Sequence, residues 1–450
     1  MGLLTFCTSI YAQDDVQKFR IYGFADMYMA KNFLKENSLI KASGSLSDDF
    51  TASLSHLNVY SDFNPNDRIR MLIELGYQQQ PVTLKSTQGQ IFIAEGIRKD
   101  TVKKAEPLPS NIESVGVDKT EWGSFSVERA VFQVKFNQQL NLLFGKFITP
   151  SGIWNVDHGS PAIMTIHQPT QFSISQIFPN SLIGIMEEGT AFLGDADINY
   201  SVYASTGRKQ LAIEEPKDIA VGGQVRVNLP LLNEFRLGFA GYTGINREEL
   251  SYMNIIIDSS TIQKLQQQAK SEALNGSIKM SDIPSIVSQL ISQEAKKPDN
   301  YSFTSTDNYK YRENVVSGNM KLKYQGVGLQ TEVSYQIANN LLVEDKQSKV
   351  LAYYGLLSYD AIKKNKLTLT PYFCFEHIKM KDGQNNPSLM LSGDICGYEL
   401  YFIGINTKIF DNFGFKLEWV FSDILTTGAF SNYSDNADFS SLCGQFTIAF

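Results

Sequence analysis

Apolar and polar residues alternate along much of the chain, and a period of two predicts β-strands. Between 67 and 77, Ile69, Met71 and Ile73 share one face, whereas Arg70 and Glu74 lie on the other. The same separation recurs over four further segments: 233–242, 327–337, 366–376 and 412–421. The chain is therefore rich in strands that have one apolar and one polar face. Two segments are less regular, because the Met186-Glu187-Glu188 run breaks the pattern at 182–193 and both faces are apolar at 349–359.

The connections between these strands alternate between short and long. Breaker residues mark seven short turns, at 64–67, 137–139, 194–197, 230–233, 324–326, 360–365 and 411–412. The eight other connections are long and polar, at about 31–53, 78–126, 148–180, 206–219, 243–313, 338–348, 377–396 and 424–439. Seven hairpins, a first strand near 19–29 and a last strand at 440–450 give sixteen strands.

This arrangement predicts an all-β fold, a transmembrane antiparallel β-barrel of about 16 strands with short periplasmic turns and long extracellular loops. A soluble β-sandwich explains the alternation of loop lengths poorly, because sandwiches join their strands by crossings at both ends. Sixteen strands also enclose an interior too wide for side chains to fill, so the apolar face must point outward into lipid.

Composition fits this prediction and excludes other classes. The 450 residues are 19 % charged and 12 % aromatic, and no apolar run is long enough for a spanning helix. The net charge of −7 argues against nucleic acid as a partner. Residues 1–12 resemble the remnant of a signal peptide, which leaves 13–450 as a single barrel domain. Three cysteines then remain, Cys374, Cys396 and Cys443, and they allow one disulfide.

The inward parity of the strands identifies candidate pore-lining residues. They are Arg20, Arg70, Glu74, Arg129, Gln133, Lys135, Arg226, Arg236, Lys321, Glu332, Glu376 and Lys416. Basic groups outnumber acidic ones on this face, and fixed charges along an aqueous path concentrate solutes of opposite sign, so a mild anion preference is one hypothesis. The alternative is that these charges only solvate a wide lumen and pair with each other.

Two long connections carry further predictions. In general porins the connection that corresponds to 148–180 folds into the barrel and narrows the pore, and here it is stiffened by four prolines. Trp154 is expected to pack against the wall, and Asp157, His158 and His167 are expected to face the constriction. The two histidines form only a weak metal motif, and loop histidines facing solvent are the favoured interpretation. In 243–313, the segments 259–274 and 281–297 have helical spacing, which predicts two short helices over the outer mouth or a binding surface there.

No catalytic motif such as GxSxG occurs, so the chain is not expected to be an enzyme, and the sequence indicates no cofactor and no metal.

One stretch resembles a known family. Residues 127–155 couple an arginine-containing strand at Arg129 to a tight turn, a strand with Leu140-Asn141-Leu142, and the run Gly145-Lys146-Phe147-Ile148-Thr149-Pro150. This pattern is similar to the core of the porin O and P family, the phosphate-selective porins, and 178–185 resembles the return to their next strand. The resemblance implies a sixteen-stranded, commonly trimeric porin, but it does not carry phosphate selectivity across.

The sequence thus predicts a porin of the Gram-negative outer membrane that lets small hydrophilic solutes or anions diffuse passively. The alternative is a surface barrel that acts as a receptor or adhesin through its long loops. Expected partners are outer-membrane lipid, lipopolysaccharide and further copies of the chain in a homotrimer. The aromatic Phe450 on the last alternating strand resembles the signal that the barrel-assembly machinery recognises.

Overall fold

A computed structural model describes the chain over most of its strands and several loops. The described ranges are 18–34, 48–83, 90–94, 106–107, 120–156, 159–169, 177–208, 218–275, 301–342, 347–382, 395–410, 412–426 and 439–450, with a few single positions between 279 and 290. The predicted signal-peptide remnant, 1–12, lies outside them. The chain divides into two compact units, one of Met1–Gln80, Gly123–Arg247 and Lys310–Phe450, and one of Pro81–Trp122 and Glu248–Tyr309.

The described residues form nineteen strands and one long helix. The strands are β1 (Phe19–Leu34), β2 (Phe50–Asn66), β3 (Ile69–Thr83), β4 (Gln90–Ala94), β5 (Glu106–Pro107), β6 (Thr120–Lys135), β7 (Asn141–Ile148), β8 (Ser181–Leu193), β9 (Ala196–Ser205), β10 (Ala220–Leu229), β11 (Glu234–Asp258), β12 (Tyr301–Tyr324), β13 (Val327–Asn340), β14 (Gln347–Tyr359), β15 (Ile362–Lys364), β16 (Leu367–Lys381), β17 (Ile395–Ile409), β18 (Phe413–Thr426) and β19 (Phe439–Ala449). The helix is α1 (Ser259–Leu274). No helix that the structure describes is long and apolar enough to cross a membrane.

Sixteen of these strands form a closed antiparallel barrel, as the sequence predicts. Each pairs with the strand before and after it, and β1 pairs with both β2 and β19, so the ring has no free edge. At the seam, Gly23 and Phe450 exchange two backbone hydrogen bonds of 2.9 Å. The other three strands are not counted in this ring: β15 is a three-residue extension of the turn between β14 and β16, which pair directly, and β4 and β5 belong to the second unit.

Alternation along each barrel strand places apolar side chains outside and mainly polar ones inside. On β3, Met71, Ile73 and Leu75 are 42–47 % exposed on the outer face, whereas Glu74 is fully buried on the inner face. The large exposed side chains on the outer surface of β16 to β19 are mostly aromatic or aliphatic, Phe373, Trp419 and Phe421 among them. Apolar side chains on the outer face favour contact with hydrocarbon, and their exposure to water would be unfavourable, so the barrel spans a membrane.

The seven predicted short turns all join consecutive antiparallel barrel strands. The prediction of a 243–313 loop is wrong in its limits, because β11 continues to Asp258 and β12 begins at Tyr301. The outer parts of β11 and β12 lack sustained alternation of apolar residues, so the sequence pattern does not predict them. The first predicted helix is α1; the second, 281–297, lies almost entirely outside the described residues.

The second unit contains a small sheet and α1. Residues 254–258 of β11 pair in parallel with β4, and β4 pairs with β5.

The one disulfide that the sequence allows is absent from the described part of the chain. Cys374, Cys396 and Cys443 are all free thiols. Cys374 and Cys443 are buried on the inner face of β16 and β19.

Candidate functional site

The connection between β7 and β8 lies inside the barrel. We call its residues 149–169 the constriction segment; 157 and 158 within it are not described. Ile153, Trp154 and Ile163 of this segment are almost completely buried, and they form one apolar cluster with inward-facing residues of β14, β16, β17 and β18. The wall residues of the cluster are Tyr354, Leu356, Tyr372, Cys374, Phe402 and Val420. This cluster explains why both faces of 349–359 are apolar: one face contacts lipid and the other contacts the segment.

Two hydrogen bonds hold the first part of the constriction segment to the wall. The backbone N–H of Ile153 donates to Glu332 Oε2 on β13 at 3.2 Å, and Gln224 on β10 donates to the carbonyl of Gly152 at 3.2 Å. Gly152 has a φ of 60°, and a Cβ there would lie 2.3 Å from Glu332 Oε1. Only glycine combines this backbone conformation with such a close carboxylate.

The second part of the segment is held by donors on β17 and β18 and by an acceptor on β1. Lys416 on β18 is 1 % exposed, and its ammonium donates to the carbonyls of Ser160 at 2.8 Å and Thr165 at 3.0 Å. Asn406 on β17 donates to the carbonyl of Met164 at 2.8 Å. The Ser160 hydroxyl donates to the carboxylate of Asp26 on β1. Side chains of the wall thus satisfy carbonyl groups that are buried away from water.

Glu418 on β18 fixes the end of the segment. Its carboxylate accepts the backbone N–H groups of Ile166 at 3.0 Å and His167 at 3.3 Å, the Tyr372 hydroxyl at 2.7 Å, and His167 Nδ1 at 2.6 Å. Burial of the ring disfavours its charged form, but hydrogen bonds with Cys443 and Glu418 outweigh this effect and raise the pKa of His167 to about 10. His167 is therefore held as an anchor by Glu418, but 36 % of its side chain stays exposed, so the prediction of a solvent-facing histidine is only partly right.

The anchors lie on β1, β10, β13 and β16 to β18, so the constriction segment follows that part of the wall. Two cavities remain on its other side. One, of about 540 Å³, lies against β1, β2 and β19 and reaches Gly76 on β3 and Glu128 on β6, and we call it the aromatic cavity. The other, of about 340 Å³, lies against β3 and β6 to β10, and we call it the arginine cavity. Ile148 lines both. Most of the free lumen in the described part of the barrel therefore lies on that side, and a smaller cavity of about 160 Å³ lies between the segment and β11 to β14.

Paired charges line the wall on the open side. Asp62 accepts Arg70 Nε at 2.9 Å and Arg20 at 2.9 Å, and Arg129 donates to Glu74 Oε2 at 3.0 Å. Asp62 and Glu74 are completely buried beneath these guanidinium groups, which keep part of their surface free. Buried carboxylates therefore position cations that face water.

The remaining predicted pore-lining residues divide into three groups. Gln133, Arg226 and the unpredicted Glu188 line the arginine cavity, where Gln133 donates to Glu188 at 2.9 Å, and the half-buried Lys135 lies on the same wall. Arg236 and Lys321 reach Glu234, at 3.5 and 3.1 Å, near the short turns.

The third group departs from the prediction. Glu332, Glu376 and Lys416 are each 1 % exposed, so they do not line an aqueous path. The constriction segment covers Glu332 and Lys416 and uses them as anchors. Asp157 and His158 lie outside the described residues. Of the predicted constriction residues that are described, Trp154 packs against the wall as expected, and His167 borders the aromatic cavity.

Comparisons with known proteins support the fold described above. No family model matches the chain, and no curated protein does. Among solved structures, it is similar to an anion-selective porin from Comamonas acidovorans, at 8 % identity over 96 % of this chain and 99 % of that one, with a TM-score of 0.52. It is also similar to outer-membrane expressed OmpT of Vibrio cholerae, at 9 % identity over 96 % of this chain and 97 % of that one, with a TM-score of 0.51.

At such low identity these likenesses establish the architecture. Together with the apolar outer face, they make this chain a closed sixteen-stranded β-barrel of the outer-membrane type.

Proposed function

We propose that this outer-membrane barrel is a porin, a water-filled channel for passive diffusion of small hydrophilic solutes. The observation that carries the proposal is the position of the constriction segment. It is anchored to one part of the wall and leaves a charged, water-accessible space along the other. Steric and electrostatic filtering in that space needs no turnover and no cofactor.

Planar-bilayer recording of the refolded protein tests the proposal. We expect discrete, ohmic conductance steps, and liposomes that contain the protein should swell in small sugars. A barrel that acts only as a receptor or adhesin would insert without conductance and leave the liposomes unswollen.

We propose a mild anion preference as the selectivity of the channel. On the open wall, five basic groups (Arg20, Arg70, Arg129, Lys135 and Arg226) outnumber four carboxylates (Asp62, Glu74, Glu128 and Glu188). The excess is small, because most of these groups are paired, so the reversal potential in a KCl gradient should be shifted only modestly toward the chloride potential. Arg226→Gln should move it toward the potassium potential and Glu188→Gln should move it the other way. Cation selectivity of the wild-type channel would refute this preference.

We further propose that the barrel is a homotrimer among lipopolysaccharide and outer-membrane lipid, as the resemblance of 127–155 implies. Grouping of conductance steps in threes would support the trimer, and single independent steps would contradict it.

Phe450 is proposed to serve in assembly. Its backbone closes the ring with Gly23, and its aromatic ring lies over Gly23, where a Cβ would be 2.9 Å from Phe450 Cζ. Removal of Phe450 should lower the fraction of heat-modifiable, folded protein in outer-membrane preparations. Normal insertion of the shortened chain would count against this role.

A further inference from the structure

The aromatic cavity differs in chemistry from the arginine cavity. Its volume of about 540 Å³ lies within the range of small-molecule sites, about 300–1,000 Å³. Among the described residues, its lining contains no arginine and no lysine. The cavity therefore lacks the groups that would concentrate anions, although it belongs to the same lumen.

Flat apolar surfaces form one part of the lining. Phe24 and Tyr28 come from β1, and Trp154 comes from the constriction segment. Phe24 is 7 % and Trp154 is 3 % exposed, so both are held in place by their neighbours and present only part of a ring to the cavity. Rigid aromatic side chains of this kind give a ring-shaped ligand an apolar contact at low cost in conformational entropy.

Polar groups form the other part, and most of them carry no charge. Asn58, Gln168 and Gln445 contribute amides to the lining. Gln445 is 3 % exposed, and its Oε1 accepts no hydrogen bond from the described protein. A buried acceptor without a donor is unfavourable by about 1–3 kcal/mol, and a ligand hydroxyl beside it would remove that penalty.

The ionisable side chains in the lining are one carboxylate, Glu128, which accepts the Ser126 hydroxyl, and two histidines that each face a buried carboxylate. His167 faces the Glu418 carboxylate at 2.6 Å, and His56 Nδ1 lies 2.9 Å from Asp26, which also accepts the Ser160 hydroxyl. An anion would gain no free cation here and would approach two buried carboxylates. A neutral ligand that carries hydroxyl donors meets no such penalty.

We propose that the aromatic cavity is a binding site for a neutral sugar of one or two rings, which packs on the aromatic side chains and donates a hydroxyl to Gln445. The proposal rests on the porin function above, since the sugar would be a solute that passes through the lumen. It adds a saturable site to a channel that otherwise acts by filtering.

The experiment measures binding separately from conduction. The refolded protein is titrated with glucose, sucrose and maltose while tryptophan fluorescence is recorded, because Trp154 borders the cavity. The same sugars are then added during single-channel recording. We expect a saturable fluorescence change with a dissociation constant on the order of 1–10 mM, and reversible current blocks in the same concentration range.

Gln445→Leu should weaken sugar binding by roughly tenfold, equivalent to about 1.4 kcal/mol. The matched control is Asn319→Leu on β12, which removes another buried amide whose side-chain oxygen accepts no hydrogen bond from the described residues. Asn319 lines neither cavity, so its replacement should leave the dissociation constant unchanged. Heat-modifiable mobility on gels verifies that both variants are folded.

Three results would overturn the proposal: no saturable effect of any of the three sugars on a conducting channel, equal weakening in both variants, or a current block by inorganic phosphate that Gln445→Leu relieves. Loss of conductance together with intact sugar binding would refute the porin function and not the site.

Discussion

Glu418→Gln should release the far end of the constriction segment. The Glu418 carboxylate accepts two backbone N–H groups, from Ile166 at 3.0 Å and His167 at 3.3 Å, and it also pairs with the His167 ring at 2.6 Å. A hydrogen bond to a charged group contributes about 1.5–3 kcal/mol. Glutamine keeps the size of the side chain but is neutral, and its amide nitrogen cannot accept.

The two backbone bonds alone imply that local opening becomes easier by about 3 kcal/mol at the lower end of that range. Because about 1.4 kcal/mol is a factor of ten, the amides of Ile166 and His167 should exchange with deuterium more than about a hundredfold faster. Hydrogen exchange followed by mass spectrometry measures this local opening. Single-channel recording should show added current noise, since the segment would move in the lumen.

Glu234→Gln is the matched control, because Glu234 lies on the inner wall near the short turns, where it pairs with Arg236 and Lys321. Its exchange at 159–169 should equal that of the wild type. If Glu418→Gln gives a folded barrel whose exchange at Ile166 and His167 is unchanged, the carboxylate does not hold the segment, and the anchoring described above is wrong.

Two further predictions concern the same segment. Gly152→Ala should lower the midpoint of heat-induced unfolding on gels more than Gly194→Ala does. Both glycines have a φ of 60°, but a Cβ at 152 would meet the Glu332 carboxylate, whereas a Cβ at 194 would have no atom within 4 Å. Equal shifts of the midpoint would contradict this reasoning. The pKa of His167 is raised to about 10, so the stabilisation from its protonated ring is complete below its ordinary pKa of about 6.5 and is lost as the pH rises through about 10. Channel noise should therefore be lowest below about pH 6.5 and should rise progressively up to about pH 10, and His167→Asn should abolish this pH dependence.

The sequence by itself determined the barrel. Alternation places Arg70 and Glu74 on one face of β3 and Ile73 on the other, and this follows from a side-chain period of two that needs no tertiary contact. The number of strands and the order of short and long connections are likewise local properties, as is the final strand that closes on β1. The ends of long strands such as β11 could not be predicted locally, because these ends lack apolar alternation.

Only the tertiary structure decided which part of the inner face meets water. By parity alone, Lys416 and Arg70 are equivalent, since both point inward. The constriction segment covers Lys416 through contacts with Ser160 and Thr165, more than 250 residues away in sequence, and it leaves Arg70 open to the lumen. Glu418 likewise lies on the inner face, but no pattern indicates that it accepts the backbone of 166 and 167. Long-range docking of a loop depends on complementary shape and on buried hydrogen bonds, and neither produces a periodic pattern in the sequence.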